Sequence, residues 1–117
     1  MENCIFCSIA NGEPEKLVWQ SETVAVFKSI QPNAPVHLLV VPKRHFARLD
    51  DVDDPQLLQD LMVAVQAVAR QQGTQDAYRV HINNGRAAGQ VVDHLHIHVL
   101  GKLSAKQLDD LRTQQGM

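Results

Sequence analysis

Residues 94–100 read His-Leu-His-Ile-His-Val-Leu, a strict alternation of imidazole and aliphatic side chains. Successive side chains of a strand point to opposite faces. An extended chain therefore puts His94, His96 and His98 on one face and Leu95, Ile97 and Val99 on the other. Neighbouring rings would stand about 6.5 Å apart. A helix would scatter the same rings around its axis, so the segment is predicted to be the end of a long strand running from Val91 to Leu100. A water-facing strand would mix Lys, Glu and Thr. Three identical rings that titrate near neutrality point instead to metal ligation or to nucleophilic and acid–base chemistry.

A strand with one aliphatic face needs partners and a cover, and the rest of the chain offers both. Asn3 suits a helix N-cap and Gly12 a C′ position, which predicts a short N-terminal helix that Pro14 prevents from continuing. Leu17–Trp19 and Thr23–Phe27 read as a hairpin, and His37–Val41 as a buried central strand closed by Pro42. After the acidic lead-in Asp50–Asp54, Pro55 takes a first helical position. Leu57, Leu58, Leu61, Met62, Val65, Val68 and Ala69 then recur at helical spacing until Gly73, predicting one long amphipathic helix. Tyr78–Asn83 reads as a strand. Ser104 with Gln107 fits a capping box, and Leu103 with Leu108 the accompanying staple, which predicts a C-terminal helix to about Arg112 that frays over 114–117. With 117 residues and no linker or repeat, residues 1–117 form a single α+β domain with a mainly antiparallel sheet.

Composition removes several functional classes. With 11 Lys and Arg against 13 Asp and Glu, the net charge is -2, and no basic field is available for nucleic acid or an anionic membrane. No apolar stretch approaches a membrane span and no signal-peptide pattern opens the chain, so a cytoplasmic protein is expected. Two cysteines are too few for a disulfide scaffold.

Two chemistries remain open for the histidine strand. A His-x-His pair can chelate zinc and leave a position for water, giving a metallohydrolase. A neutral imidazole can also attack phosphorus itself and form a phosphohistidine that water later hydrolyses. The preceding loop, Asn84 to Gln90, carries Gly85 and Gly89, whose backbone can approach a ligand and present N–H groups to an anion. Asp93 falls on the opposite face from the rings, so the metal option lacks a nearby carboxylate. Cys4 and Cys7 have the spacing of half a zinc site, although a redox pair or two packed free thiols also fit. His81, between Val80 and Ile82, reads as a satisfied or exposed sheet histidine.

These residues resemble the histidine triad (HIT) family, whose pattern is His-φ-His-φ-His-φ-φ. The likeness covers residues 3 to about 101. It includes Cys4-Ile5-Phe6-Cys7, Ile30–Pro35, His37–His45, Asn83-Asn84-Gly85 and Gly89-Gln90. The branch of small nucleoside phosphoramidate hydrolases is the most similar. The resemblance implies a five-stranded antiparallel sheet with one long helix and short terminal helices, and a homodimer whose sheets join. It implies hydrolysis of purine nucleoside 5′-phosphoramidates or related AMP and GMP conjugates; cleavage of dinucleoside polyphosphates and a nucleotide-sensing module with vestigial catalysis are the alternatives. By position, His96 would be the nucleophile and His98 and His37 would orient phosphate oxygens. Asn83, Gly89 and Gln90 would hold the phosphate, and Phe6, Ile9, Phe27 and Ile30 would form the base slot. Catalysis would need no cofactor.

The sequence departs from the family pattern twice. Ser29 stands where relatives carry an Asp that binds the ribose hydroxyls, which predicts weaker ribose contacts, since a neutral hydroxyl bonds less strongly than a carboxylate. Val91 follows Gln90 where a hydroxyl residue often assists the leaving group, so only a backbone N–H remains to serve the phosphate there. The resemblance also completes the half zinc site: His45 and His94 would join Cys4 and Cys7. Four protein ligands leave no open position, so that zinc would be structural.

Overall fold

A strand that is apolar on both faces belongs in the interior of a sheet, and Val36–Pro42 takes that place with all seven residues buried. In a computed structural model, which describes residues 3–114 (backbone only for Gln114), the elements follow in this order. Helix α1 (Ile5–Gly12) leads to strands β1 (Leu17–Gln20), β2 (Val24–Lys28) and β3 (Val36–Pro42). Helix α2 (Pro55–Gln71), strands β4 (Tyr78–His81) and β5 (Ile97–Gly101), and helix α3 (Ala105–Gln114) complete the described chain. The five strands form one sheet in the order β1-β2-β3-β5-β4, every neighbouring pair antiparallel. This is the α+β architecture with a five-stranded sheet, one long helix and short terminal helices that the sequence predicts.

Alternation along the central strands sends side chains to two separate cores. Val24 and Val26 of β2, Val36, Leu38 and Val40 of β3, and Ile97 and Val99 of β5 meet Leu57, Leu61, Ala64, Val65 and Val68 of α2. The opposite face carries Ala25, Phe27, Leu39 and Val41, and α1 covers it with Phe6, Ile9 and Ala10. His37, between Val36 and Leu38, is thereby delivered to the α1 face. The buried stripe of α2 runs through Leu57, Leu61, Ala64, Val65, Val68 and Ala69. Leu58 and Met62, expected on that stripe, are exposed instead. Asp54 caps α2 by accepting from Gln56 N–H at 3.0 Å, and Gly73 ends it in the left-handed region at φ +73°.

Several boundaries differ from expectation, each for a local reason. Cys4, not Asn3, caps α1, its Sγ accepting from Cys7 N–H at 3.3 Å. Gly12 is the last helical residue rather than the position after it, and Glu13 N–H closes the helix on Ile9 O. Pro14 does not end helical structure but opens a 3₁₀ turn, Pro14–Lys16, at a position where its missing N–H costs nothing. β4 stops at His81, short of Asn83. The largest change is in the histidine strand. β5 begins at Ile97, where the pairing with β3 ends at Val40↔Ile97, although β3 itself runs on to Pro42. The Pro42 carbonyl accepts from the His94 ring at 2.8 Å, and Leu95 N–H bonds Phe46 O at 2.7 Å. β3, not the histidine strand, is the longest. Sidedness nevertheless survives, since Leu95 packs in the α2 core with Ile97 and Val99 while the three rings face α1. The predicted capping box is present: Ser104 N–H donates to Gln107 Oε1 at 2.8 Å and Gln107 N–H to Ser104 Oγ at 3.1 Å. Of the expected frayed end, residues 115–117 lie outside the described residues.

The close of β5 packs against the turn after α2. A Cβ added at Gly101 would meet Thr74 Cγ2 at 2.6 Å, while Thr74 Oγ1 is held by Ala69 O at 3.0 Å. Gly101→Ala is expected to lower stability by about 1–3 kcal/mol in urea unfolding. Thr74→Ser, which deletes the opposing methyl and keeps the hydroxyl bond, should recover most of that loss in the double variant.

Candidate active site

A cavity of about 540 Å³ opens between α1, the end of β2, the start of β3 and the segment leading into β5. Phe6 and Ile9 of α1, Phe27 and Leu39 of the sheet, and Ile30 of the following loop make its apolar wall. His37, His96 and His98 make its polar floor. Phe6 stands edge-on to Phe27 (centroids 5.3 Å apart) and to His96 (5.1 Å). The pocket therefore joins a flat apolar slot to a row of imidazoles. Ser29 lines the cavity, and Val91, 82% exposed, and Ile30, 86% exposed, stand at its rim.

Hydrogen-bond partners that can only accept or only donate fix the protons on these rings. His96 Nδ1 lies 2.7 Å from the His94 carbonyl. A carbonyl accepts, so Nδ1 carries the proton and Nε2 keeps a free lone pair. His37 Nδ1 lies 3.0 Å from Asn33 N–H, which donates. The proton of neutral His37 is then on Nε2, and it donates to His98 Nδ1 at 2.9 Å. His98 in turn holds its own proton on Nε2. The result is a nucleophilic nitrogen on His96 beside an N–H donor on His98, whose ring centroid is 5.0 Å from that of His96.

Burial keeps the rings neutral. It lowers the pKa of His96 and, with the His96 charge, that of His37. Burial first, and then the neighbouring His81, His96 and His37, take His98 down to about 3. One member of this cluster was not foreseen as such. His81 stacks on His98 with centroids 4.3 Å apart and planes 12° from parallel, and its Nδ1 is buried without a hydrogen-bond partner. It is neither satisfied nor exposed. The register pair His81↔His98 places it there, and only the β4–β5 pairing could have revealed it.

The glycine loop is braced from within by its own side chains. Gly85 and Gly89 take φ of +92° and +93°, as the tight turn requires. Inside that turn the Gln90 side chain is buried and fully engaged: Oε1 accepts from Gly85 N–H at 2.8 Å, and Nε2 donates to Ala47 O at 2.6 Å and Val92 O at 2.9 Å. Asn83 Nδ2 donates to Ala88 O at 2.9 Å. These bonds brace the loop from within, and Val91 and Val92 of the same segment stand in the cavity wall.

Cys4, Cys7, His45 and His94 converge beside the polar floor, with their ligand atoms all within 4.8 Å of one another. His94 Nδ1 is 3.2 Å from Cys4 Sγ and 3.3 Å from Cys7 Sγ, and His45 Nδ1 is 3.3 Å from Cys7 Sγ. Because His94 Nε2 donates to the Pro42 carbonyl, its Nδ1 lone pair faces the sulfurs. Tetrahedral zinc with bonds of about 2.0–2.3 Å separates its ligands by about 3.3–3.8 Å, so both the donor set and the spacing fit. Without a cation, burial and the neighbouring Cys4 push the Cys7 thiol up to about 11, which disfavours a reactive redox pair.

This geometry can be set beside known proteins. The family model of the HIT domain matches residues 11–105. The chain belongs to the HIT family. Protein HitA of Neisseria gonorrhoeae is 42% identical to it over 104 residues, 86% of this chain and 97% of that protein. A HIT family hydrolase from Clostridium thermocellum superposes with a TM-score of 0.82 at 40% identity, covering 90% of this chain and 95% of the other. The histidine triad nucleotide-binding protein of Candida albicans gives a TM-score of 0.76 at 30% identity, covering 97% of this chain and 94% of the other. The HIT domain described here shares the fold of these hydrolase-like proteins, and none of its described helices is long and apolar enough to cross a membrane.

The histidine cluster also makes the HIT domain sensitive to acid. Unfolded imidazoles take up protons below 6.5, whereas folded His98, His37 and His81 take them up only at lower pH. Between those values the unfolded chain binds more protons, so stability falls as pH drops below 6.5 and the loss levels off below the folded pKa values. The urea midpoint is expected to decline between about pH 7 and pH 5. His81→Phe keeps the stack on His98, deletes one titration and should flatten that slope.

Proposed function

We propose that the chain is a nucleotidyl hydrolase. It cleaves purine nucleoside 5′-phosphoramidates or related AMP and GMP conjugates through a covalent nucleotidyl-histidine on His96. The observation that carries this reading is the His96 ring: its Nδ1 proton is committed to the His94 carbonyl, and its bare Nε2 belongs to a cavity with an apolar slot. In the first step the Nε2 lone pair attacks the α-phosphorus. A P–N bond forms to His96, and the bond to the leaving amine breaks with its electron pair. The His98 Nε2–H bonds a phosphate oxygen and stabilises the charge that develops there. Val91 has no side-chain proton to give, so the departing amine takes its proton from water at the rim, and the Val91 backbone N–H serves the phosphate. In the second step water attacks phosphorus, the bond to Nε2 breaks, and the nucleoside monophosphate leaves with His96 neutral again.

The base is held between Phe6, Ile9, Phe27 and Ile30, with Ser29 near the ribose. Support for this assignment is the T-shaped Phe6–Phe27 pair and the single neutral hydroxyl at position 29. We further infer that Cys4, Cys7, His45 and His94 hold a structural zinc that catalysis does not use. It ties α1 to the segment carrying His96. The free outer edge of β4, with Val80 40% exposed, fits a homodimer whose sheets join, and two reduced thiols fit a cytoplasmic setting.

Two experiments test this reading. With adenosine 5′-phosphoramidate, wild-type protein should release AMP, and acid-quenched samples should carry an adenylyl group on His96 by mass spectrometry. His96→Ala should lose both, with kcat down by about 10⁴-fold or more; near-normal turnover in that variant would remove His96 from the role. Metal analysis of chelator-free preparations should give one zinc per chain. Cys7→Ser should lose the metal and stability while retaining turnover in whatever fraction stays folded.

A further inference from the structure

The neutral tautomers of His37 and His98 depend on one backbone group, the Asn33 N–H that donates to His37 Nδ1 at 3.0 Å. Asn33 sits on the exposed loop Gln31–Pro35, far in sequence from the triad. The loop is held from outside by α3: Gln107 Nε2 donates to Asn33 O at 3.0 Å. The same side chain uses its other end, Oε1, to accept from Ser104 N–H at 2.8 Å, closing the capping box of that helix. One amide therefore joins the start of α3 to the wall of the cavity.

We propose that Gln107 is a positioning residue for the histidine site, holding Asn33 so that His37, and through it His98, keep their protons on Nε2. The proposal rests on the hydrolase reading for its kinetic consequence and not for its structural one. If Asn33 N–H swings away, His37 is free to carry its proton on Nδ1. Its Nε2 would then present a lone pair to His98, and His98 would have to donate from Nδ1 across their 2.9 Å contact. That leaves a lone pair, not an N–H, on His98 Nε2 toward an anionic phosphate. The interaction that stabilises the developing charge would become a repulsion.

Two substitutions separate this role from helix stability, because they split the two functions of the amide. Gln107→Glu keeps an acceptor for Ser104 N–H and the favoured residue type of a capping box, but it has no donor for Asn33 O. Gln107→Lys keeps a donor that reaches Asn33 O and loses the cap. The ring nitrogens of His37 and His98 are read by long-range ¹H–¹⁵N correlation at neutral pH, alongside thermal melts and steady-state turnover of adenosine 5′-phosphoramidate. In wild type both rings should report a proton on Nε2. Gln107→Glu should shift both toward mixed tautomers and lower kcat by about tenfold, with little change in Tm. Gln107→Lys should keep wild-type ring shifts and kcat while melting lower. Unchanged tautomers in Gln107→Glu, or equal disturbance of the rings in the two variants, would overturn the proposal. If the wild type turns nothing over but its ring shifts respond as described, the hydrolase reading fails and the positioning role stands.

Discussion

A neutral imidazole has one donor and one acceptor, and in this site the backbone decides which is which. The His94 carbonyl takes the Nδ1 proton of His96, the Pro42 carbonyl takes the Nε2 proton of His94, and the Asn33 N–H fills the Nδ1 lone pair of His37. None of these partners can titrate or reverse its role. Each assignment leaves the other nitrogen in a defined state: a lone pair on His96 toward the cavity, a lone pair on His94 toward two sulfurs, and an N–H on His37 toward His98. Three rings of one residue type acquire three different chemical characters, with no carboxylate among their hydrogen-bond partners in the described residues.

The sheet makes that division affordable in packing terms. Because β2, β3 and β5 alternate, one half of each strand goes to the α2 core and the other faces α1, where a second apolar cluster sits beside the histidines. Burial against Phe6 and the neighbouring strands keeps the rings uncharged, and the cost is borne as stability at acid pH. α1 is placed by two different contacts. Phe6 and Ile9 seal its apolar face, and Cys4 and Cys7 bring their sulfurs to His94 and His45. The helix that lines the apolar slot is thus the same one whose sulfurs meet His94, two positions before His96.

Much of this was legible in the sequence because it depends on periods. The alternation at 94–100 set the face of every ring even though the ladder begins only at Ile97, since an extended chain alternates with or without a sheet partner. The capping box Ser104–Gln107 and the Asp54–Pro55 helix start were readable for the same reason, being local rules over three or four residues. What escaped depends on contacts between distant segments. The bond of the Gln90 amide to Ala47, 43 residues away, has no local signature in the sequence. His81 gains its place only from the β4–β5 register, and the histidine strand starts where the β3–β5 pairing ends at Val40↔Ile97. Asn3 lost the N-cap to Cys4, whose sulfur also faces His94, so a tertiary contact outranked a local preference.

The two departures from the family pattern fall where that physics lets them fall. Ser29 and Val91 line the mouth of the cavity, with Val91 mostly in solvent, and neither contributes to the bonds that set the tautomers. A substitution at Val91 alters the cavity mouth without leaving a buried group unpaired, whereas Ser29 Oγ also accepts from Gln31 N–H at 3.3 Å. A substitution at Gln90 would leave Gly85 N–H and the carbonyls of Ala47 and Val92 without partners and would disturb the turn that carries Val91. The Gln90 amide therefore determines the shape of the wall, and the fold concentrates constraint in the side chains behind it.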